Sequence, residues 1–317
     1  MEVQARTGRA WQAWALASML FFGVTNFFLG YISEKSAADP AASVKAAMIL
    51  WLGCGLLGLA GSVAFTWSKR GFSGLPRGKS ALLPAVAGVT LALGMLLLKS
   101  SLAANPLAKG PIVAVTSSNS LVVALLAWAF IGERLSSGQW AGFLVIVAGI
   151  ALISLGGGGG AHLGAVALAA AAMLLFGVTN FLLKLAAEKG CDSLTAAVVL
   201  WLAVGACGLL AIFRHWLIHG GFPGLARPSL AWLALLAGIF LALGMLAIKK
   251  AVTMGQAGPA AAISGSNAIL VGLLDLGLLG HGLSPLKLVG MLAAVAGIAL
   301  LALARPLPAV GDRVELR

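Results

Sequence analysis

The chain has 317 residues, 61% of them hydrophobic and only 9% charged, with a mean hydropathy of +1.04. That balance excludes an ordinary soluble domain, because too few polar groups exist to cover the apolar surface, and lipid must be the solvent. The net charge of +12 does not point to nucleic acid: the 21 Lys and Arg residues are spread thinly through short loops, with no basic stripe and no interleaved aromatics.

A hydrocarbon core needs about 20 apolar residues per helix. Read between charged and Gly/Pro-rich breaks, the chain offers ten such segments: 12–32, 43–67, 80–100, 110–131, 137–156, 163–187, 193–214, 228–251, 257–279 and 284–304. The polar, basic start lacks a convincing cleavage site, so the first segment is predicted to be a retained span. Five glycines, Gly156 to Gly160, fall between the fifth and sixth spans as a linker, which extends over 157–162.

The two halves on either side of that linker say nearly the same thing. Phe22-Gly23-Val24-Thr25-Asn26-Phe27 returns at Phe176-Gly177-Val178-Thr179-Asn180-Phe181, and Leu91-Ala92-Leu93-Gly94-Met95-Leu96 returns at Leu241-Ala242-Leu243-Gly244-Met245-Leu246. Lys99 is matched by Lys249, and Val147-Ala148-Gly149-Ile150-Ala151-Leu152 by Val295-Ala296-Gly297-Ile298-Ala299-Leu300. The predicted organisation is therefore a first five-helix repeat over 12–156 and a second over 163–304. With the N-terminus in the cytoplasm, 14 Lys and Arg residues fall on inside segments and seven on outside ones, which favours both termini inside. Five spans per repeat is an odd number, so the second repeat enters the membrane upside down. The predicted fold class is an all-α membrane protein of ten transmembrane helices built as two inverted five-helix repeats. Such a pseudo-two-fold arrangement suits alternating access in a carrier, with the substrate between the halves.

Polar groups embedded in these spans are the candidate site, since an unpaired hydrogen-bonding group is costly in lipid. Thr25-Asn26 and Thr179-Asn180 interrupt the first and sixth spans, as either cavity lining or interhelical glue. Thr116-Ser117-Ser118-Asn119-Ser120 in the fourth span is matched by Ser264-Gly265-Ser266-Asn267 in the ninth; each follows a Gly-Pro pair, Gly110-Pro111 and Gly258-Pro259. The substrate-binding candidates are thus Thr25, Asn26, Ser118, Asn119, Thr179, Asn180, Ser266 and Asn267. Asp275 stands where the first repeat has Ala127 and is the candidate for ion coupling. Lys99, Lys249 and Lys250, at span ends, are expected to snorkel to the headgroups.

Other chemistry finds no support in the pattern. His215 and His219 have i,i+4 spacing but no third metal ligand nearby in sequence, and Cys54, Cys191 and Cys207 form no CxxC pair and read as packing residues. No Walker A, GxSxG or paired intramembrane acids occur, so neither a cofactor nor an enzymatic activity is expected, and uphill transport would have to draw on a gradient.

The end of each repeat resembles the EamA-type members of the drug/metabolite transporter superfamily. In the first half the run is Ile131-Gly132-Glu133-Arg134-Leu135-Ser136, then Gln139-Trp140-Ala141-Gly142 and the Val147–Leu152 stretch. The second half reads Leu279-Gly280-His281-Gly282-Leu283-Ser284, then Gly290 and the repeated Val-Ala-Gly-Ile-Ala-Leu. The resemblance covers 12–304 and implies a ten-helix carrier in a cell membrane, such as a bacterial inner membrane, moving a small organic solute such as a metabolite, amino acid, sugar or drug. The family shares no one substrate. His281 stands where the family has Glu, so the two ends of the bundle are not expected to be gated alike. A flippase for a lipid-linked substrate is the alternative within transport.

Overall fold

The computed structural model describes residues 2–36, 39, 41–67, 79–104, 112, 115–155, 163–222, 224–225, 227–280 and 284–304. The linker at 156–162, Gly110-Pro111, His162 and His281 lie outside them. Among the described residues the structure is helical, without strands. Its helices are α1 Glu2–Lys35, α2 Ala42–Trp67, α3 Lys79–Ala104, α4 Asn119–Ile131, α5 Ser137–Leu155, α6 Leu163–Glu188, α7 Ser193–His219, α8 Pro228–Met254, α9 Ala257–Gly265, α10 Ala268–Leu279 and α11 Pro285–Leu303.

Seven stretches are long and apolar enough to cross a membrane, with α9 and α10 together forming one of them, and three shorter apolar helices accompany these. Apart from the fourth span, expected over 110–131 and matched by α4 only from Asn119, the expected spans are met to within a few residues except in three places. α1 begins ten residues earlier than predicted, and α7 runs a turn and a half beyond Arg214 before Gly220, at φ 69°, stops it. The third difference is physical: the ninth span is not one helix. Ser266 and Asn267 interrupt it, with i→i+3 hydrogen bonds from Ser266 N–H to Ile263 O at 3.1 Å and from Ile269 N–H to Ser266 O at 3.0 Å. The fourth span tightens at the equivalent place, from Ser118 N–H to Val115 O at 3.2 Å and from Leu121 N–H to Ser118 O at 3.0 Å. Short hydroxyl and amide side chains compete for the backbone here, and a mid-helix tight turn is a common hinge.

Pairing between helices follows from the small residues. α1 packs along α8, α3 along α6, α2 along α7, and α5 along α11. Exchanging each helix for its sequence counterpart maps this set of pairs onto itself. Glycines permit the close approach: a Cβ on Gly205 would stand 2.5 Å from the Gly55 Cα, and one on Gly149 would stand 2.6 Å from the Ala294 nitrogen. Small residues at such crossings let helix backbones touch where apolar burial alone cannot drive association in lipid. The outer faces carry exposed apolar side chains, among them Leu56, Leu59, Leu125, Leu209, Leu210 and Leu292. Cys54 and Cys191 are buried and Cys207 half-buried; all three thiols are free.

The α7 start shows how a loop is fixed. Asp192 is its N-cap, accepting from the N–H of Leu194 and of Thr195, both at 3.1 Å, and from the Thr195 hydroxyl at 3.2 Å. Burial works against ionisation of this carboxyl, but these bonds outweigh it and hold its pKa below the usual value. The stability it contributes is therefore present above the ordinary aspartate pKa and is lost as pH falls through its lowered folded value. Asp192→Asn is expected to cost about 1 kcal/mol or less at neutral pH. It should also flatten the acid limb of thermal stability below about pH 4, measured by unfolding scans across pH; an unchanged acid limb would count against the cap.

Candidate functional site

The predicted polar residues separate into two groups. Thr25 and Thr179 are buried, at 2% and 1% exposure, and act as glue. Thr25 Oγ1 donates to Phe21 O and to Ala237 O on α8, while Thr179 Oγ1 meets Thr90 Oγ1 on α3 at 2.8 Å. Ser266 is fully buried, its hydroxyl donating to Ala262 O at 3.0 Å. The two threonines join neighbouring helices, Ser266 bonds back to the last turn of α9, and all three are buried. For the threonines the reason is register: each sits one residue before its asparagine, about 100° around the helix.

The asparagines lie on the other side. Asn26 Nδ2 donates to Asn267 Oδ1 at 2.8 Å, joining α1 to the break between α9 and α10. Asn267 Nδ2 in turn faces the last carbonyls of α9, Ser264 O at 3.2 Å and Gly265 O at 3.4 Å. Asn119 does the same at the fourth-span turn, donating to Thr116 O at 2.9 Å. Its neighbour Ser118 stands at the N-cap of α4. Gly23 and Gly177 bring α1 and α6 onto these breaks: a Cβ on Gly23 would press on Leu270, and one on Gly177 on Val122, with Asn119 O 3.2 Å away. Asn26 and Gly30, four residues apart on α1, are both exposed, and nothing lies within 4 Å of where a Gly30 Cβ would be. Asn180 is half-buried at the matching place on α6, and Asp275 is half-exposed on α10, two turns past Asn267.

Beneath, Ser18 Oγ donates to Gly244 O at 3.1 Å and meets Ser264 Oγ at 2.7 Å, buried between α1, α8 and α9. Chemically, this seam offers carboxamide donors and acceptors beside open space and backbone carbonyls at a helix C-terminus. Such a set holds a polar solute by hydrogen bonds that reform readily, and broken helices near mid-membrane are where carriers place them.

One expectation is corrected outright. Lys99 and Lys249 do not reach out to headgroups: they are 7% and 0% exposed. Lys249 Nζ donates to Leu183 O at 2.6 Å, which repays part of the cost of burying an ammonium. Lys250 instead lies over the Trp14 ring at 4.2 Å. Snorkelling presumes a lipid-facing side, and on α8 the first of the paired lysines faces α6.

A second polar cluster closes one end of the bundle, and only Glu133 of it stood out in the sequence. Glu133 Oε1 pairs with Lys184 Nζ at 2.9 Å, and its Oε2 accepts the Ala257 N–H at 2.9 Å. Lys184 also reaches Glu188 at 3.2 Å and Gly255 O at 3.1 Å. Gln256 Nε2 donates to Arg134 O at 2.9 Å and its carbonyl oxygen accepts from Gln139 Nε2. Lys184 was hidden because its partner comes from the α4–α5 junction, 51 residues away; the i,i+4 Lys184–Glu188 spacing was the available hint. His215 and His219 lie side by side at the far end, with centroids 4.4 Å apart and ring planes tilted by 43°.

Comparison with known proteins adds a family match within one half of the chain. The model of the EamA-like transporter family matches residues 9–155. The match covers a little under half of the chain, which in that part is similar to the EamA-like transporters, and the apolar helices make it a multi-pass membrane protein. None of the curated proteins matches it in sequence. A solved crystal structure at 20% identity superposes with a TM-score of 0.72, covering 96% of this chain and 99% of that one, which supports the fold.

Proposed function

We propose that the chain is a secondary-type carrier for a small organic solute, working by alternating access between two inverted five-helix repeats, 12–156 and 163–304, with no covalent chemistry of its own. The observation that carries this reading is the Asn26–Asn267 bond, made at 2.8 Å where the ninth span breaks between α9 and α10. The exchange of helix pairs between the halves supports it, since one packing scheme can then close either end in turn. Asn26, Asn267, Asn119 and Asn180 contact the solute, with Ser118 beside them. Thr25, Thr179 and Ser266 set the frame, and Asp275, on the same broken span, is the ion-coupling group. Both termini face the cytoplasm of a bacterial cell, as the distribution of Lys and Arg favours. The family matched is one of transporters, which does not favour the lipid-linked alternative.

The test is thermal unfolding of the purified protein with pooled amino acids, sugars, nucleosides and cationic drugs. A bound solute at 100 times its Kd stabilises by about 2.7 kcal/mol. One solute class is expected to raise the Tm of the wild-type chain and not that of Asn119→Ala/Asn267→Ala, and to exchange across proteoliposomes. No shift and no exchange with any class would overturn the reading.

A further inference from the structure

We infer that Glu133 and Lys184 are gating residues: their ion pair locks the end of the bundle that holds the α4–α5, α6–α7 and α8–α9 junctions, and the chain rests open at the other end because the repeat-related positions there cannot form the same lock. The inference rests on the carrier reading above.

At the locked end the cluster ties the start of the α4–α5 junction (Glu133), the last turn of α6 (Lys184, Glu188) and the α8–α9 junction (Gly255, Gln256, Ala257) into one network. Gln139, at the start of α5, joins through Gln256. Lys184 is buried at 7% exposure, and Glu133 holds it with one oxygen while capping α9 with the other. Separating these elements would leave the Glu133 carboxylate without its cation and Lys184 with only Glu188 of its own helix, a costly way to break a buried ion pair.

The repeat alignment puts Gly30 opposite Lys184, His281 opposite Glu133, Ala108 opposite Gln256 and Lys287 opposite Gln139. Glu34, opposite Glu188, has an exposed neighbour, Lys35, 3.8 Å away. Three structural contrasts follow the sequence. Lys184 is packed into its network, whereas Gly30 faces open space. Ala127, near the locked end, is fully buried, whereas its counterpart Asp275 is half-exposed. Trp201, in the locked half of α7, ties to α8 through its indole N–H and Ala242 O at 3.0 Å. Its counterpart Trp51 is buried at 3% with no acceptor among the described residues. Among the described residues the fold is therefore tied more tightly at one end, where Glu133–Lys184 joins separate helices, than at the other, where the Lys45–Asp39 pair at 2.8 Å stays within the α1–α2 turn and the first turn of α2.

The test uses the full chain with its three cysteines replaced by alanine and one reporter added, either Ala127→Cys or Gly30→Cys, under a water-soluble maleimide. Glu133→Gln keeps an acceptor for the Ala257 N–H while removing the charge, and Lys184→Met removes the partner. Either change is expected to speed modification of Ala127→Cys by about tenfold, without speeding Gly30→Cys, as a shift of the two-state balance requires. The double variant is expected to match the singles, because one pair is lost in all three. A parallel chain that keeps native Cys54, buried at 0% exposure, as its single cysteine and carries the same latch changes is the control for loosening of the whole bundle. An Ala127→Cys rate unmoved in every variant, or one rising together with that of Cys54, would overturn the gate. Solute exchange by wild-type proteoliposomes is measured alongside. Exchange without any change at Ala127→Cys removes the gate alone, and latch variants that open in a chain moving no solute remove the carrier reading alone.

Discussion

Asn267→Ala is expected to reduce solute exchange by roughly 30-fold, while Asn26→Ala reduces it by roughly fivefold. The difference follows from what each side chain holds. Asn26 contributes one bond from α1 to the break between α9 and α10, at 2.8 Å, whose loss is worth about 1 kcal/mol. Asn267 contributes that same bond and also covers two α9 carbonyls, at 3.2 and 3.4 Å. Removing it leaves a helix end without its amide cover in lipid, for a total of about 2 kcal/mol, which is the 30-fold factor. Initial rates of exchange in proteoliposomes, with the Tm of each variant measured beside them, make the comparison. Wild-type exchange by a properly folded Asn267→Ala protein would remove the seam from the transport path.

The largest effect on stability is expected at a residue with no polar atoms in its side chain. Gly205 of α7 meets Gly55 of α2, its own counterpart in the other half, and a Cβ there would stand 2.5 Å from the opposing Cα. Backbone cannot swing aside as a side-chain tip can, so Gly205→Ala must push the two helices apart along their whole contact. A loss of about 2–3 kcal/mol is expected, with a Tm lower by roughly 5–10 °C. Gly30→Ala is the matching control: it adds the same methyl group into open space and removes a helix glycine, so the Tm should hold or rise slightly. Equal losses at both positions would mean that the effect belongs to glycine as such and not to the crossing.

Reading the chain without its fold went far because lipid simplifies the rules. A backbone in hydrocarbon must satisfy its own hydrogen bonds, so apolar length alone gives the helices: seven of the ten expected spans are long enough to cross a membrane, and the other three are shorter apolar helices. The repeat aligned Asn26 with Asn180 and Asn119 with Asn267 before any geometry was known. Helical period alone, however, left both Thr25 and Asn26 as cavity candidates. Which neighbour faced α8 and which faced the open seam depended on the rotation of α1 against its partners, and that rotation is set by glycine contacts such as Gly23 on Leu270.

The lysines show the same limit in charge. Lys99 and Lys249 at span ends carry the pattern of headgroup anchors, yet both are buried, and Lys249 finds a carbonyl of α6. The sequence by itself determined that this chain lives in a membrane, that it is made of helices, and where its polar groups interrupt them. The reason is that solvent and period act locally along the chain. Only the tertiary structure decided that the ninth span breaks at Ser266-Asn267, that Thr25 and Thr179 are glue, and that Glu133 meets Lys184. Those outcomes depend on contacts between helices far apart in sequence, where a small residue in one helix fixes what its neighbour can reach.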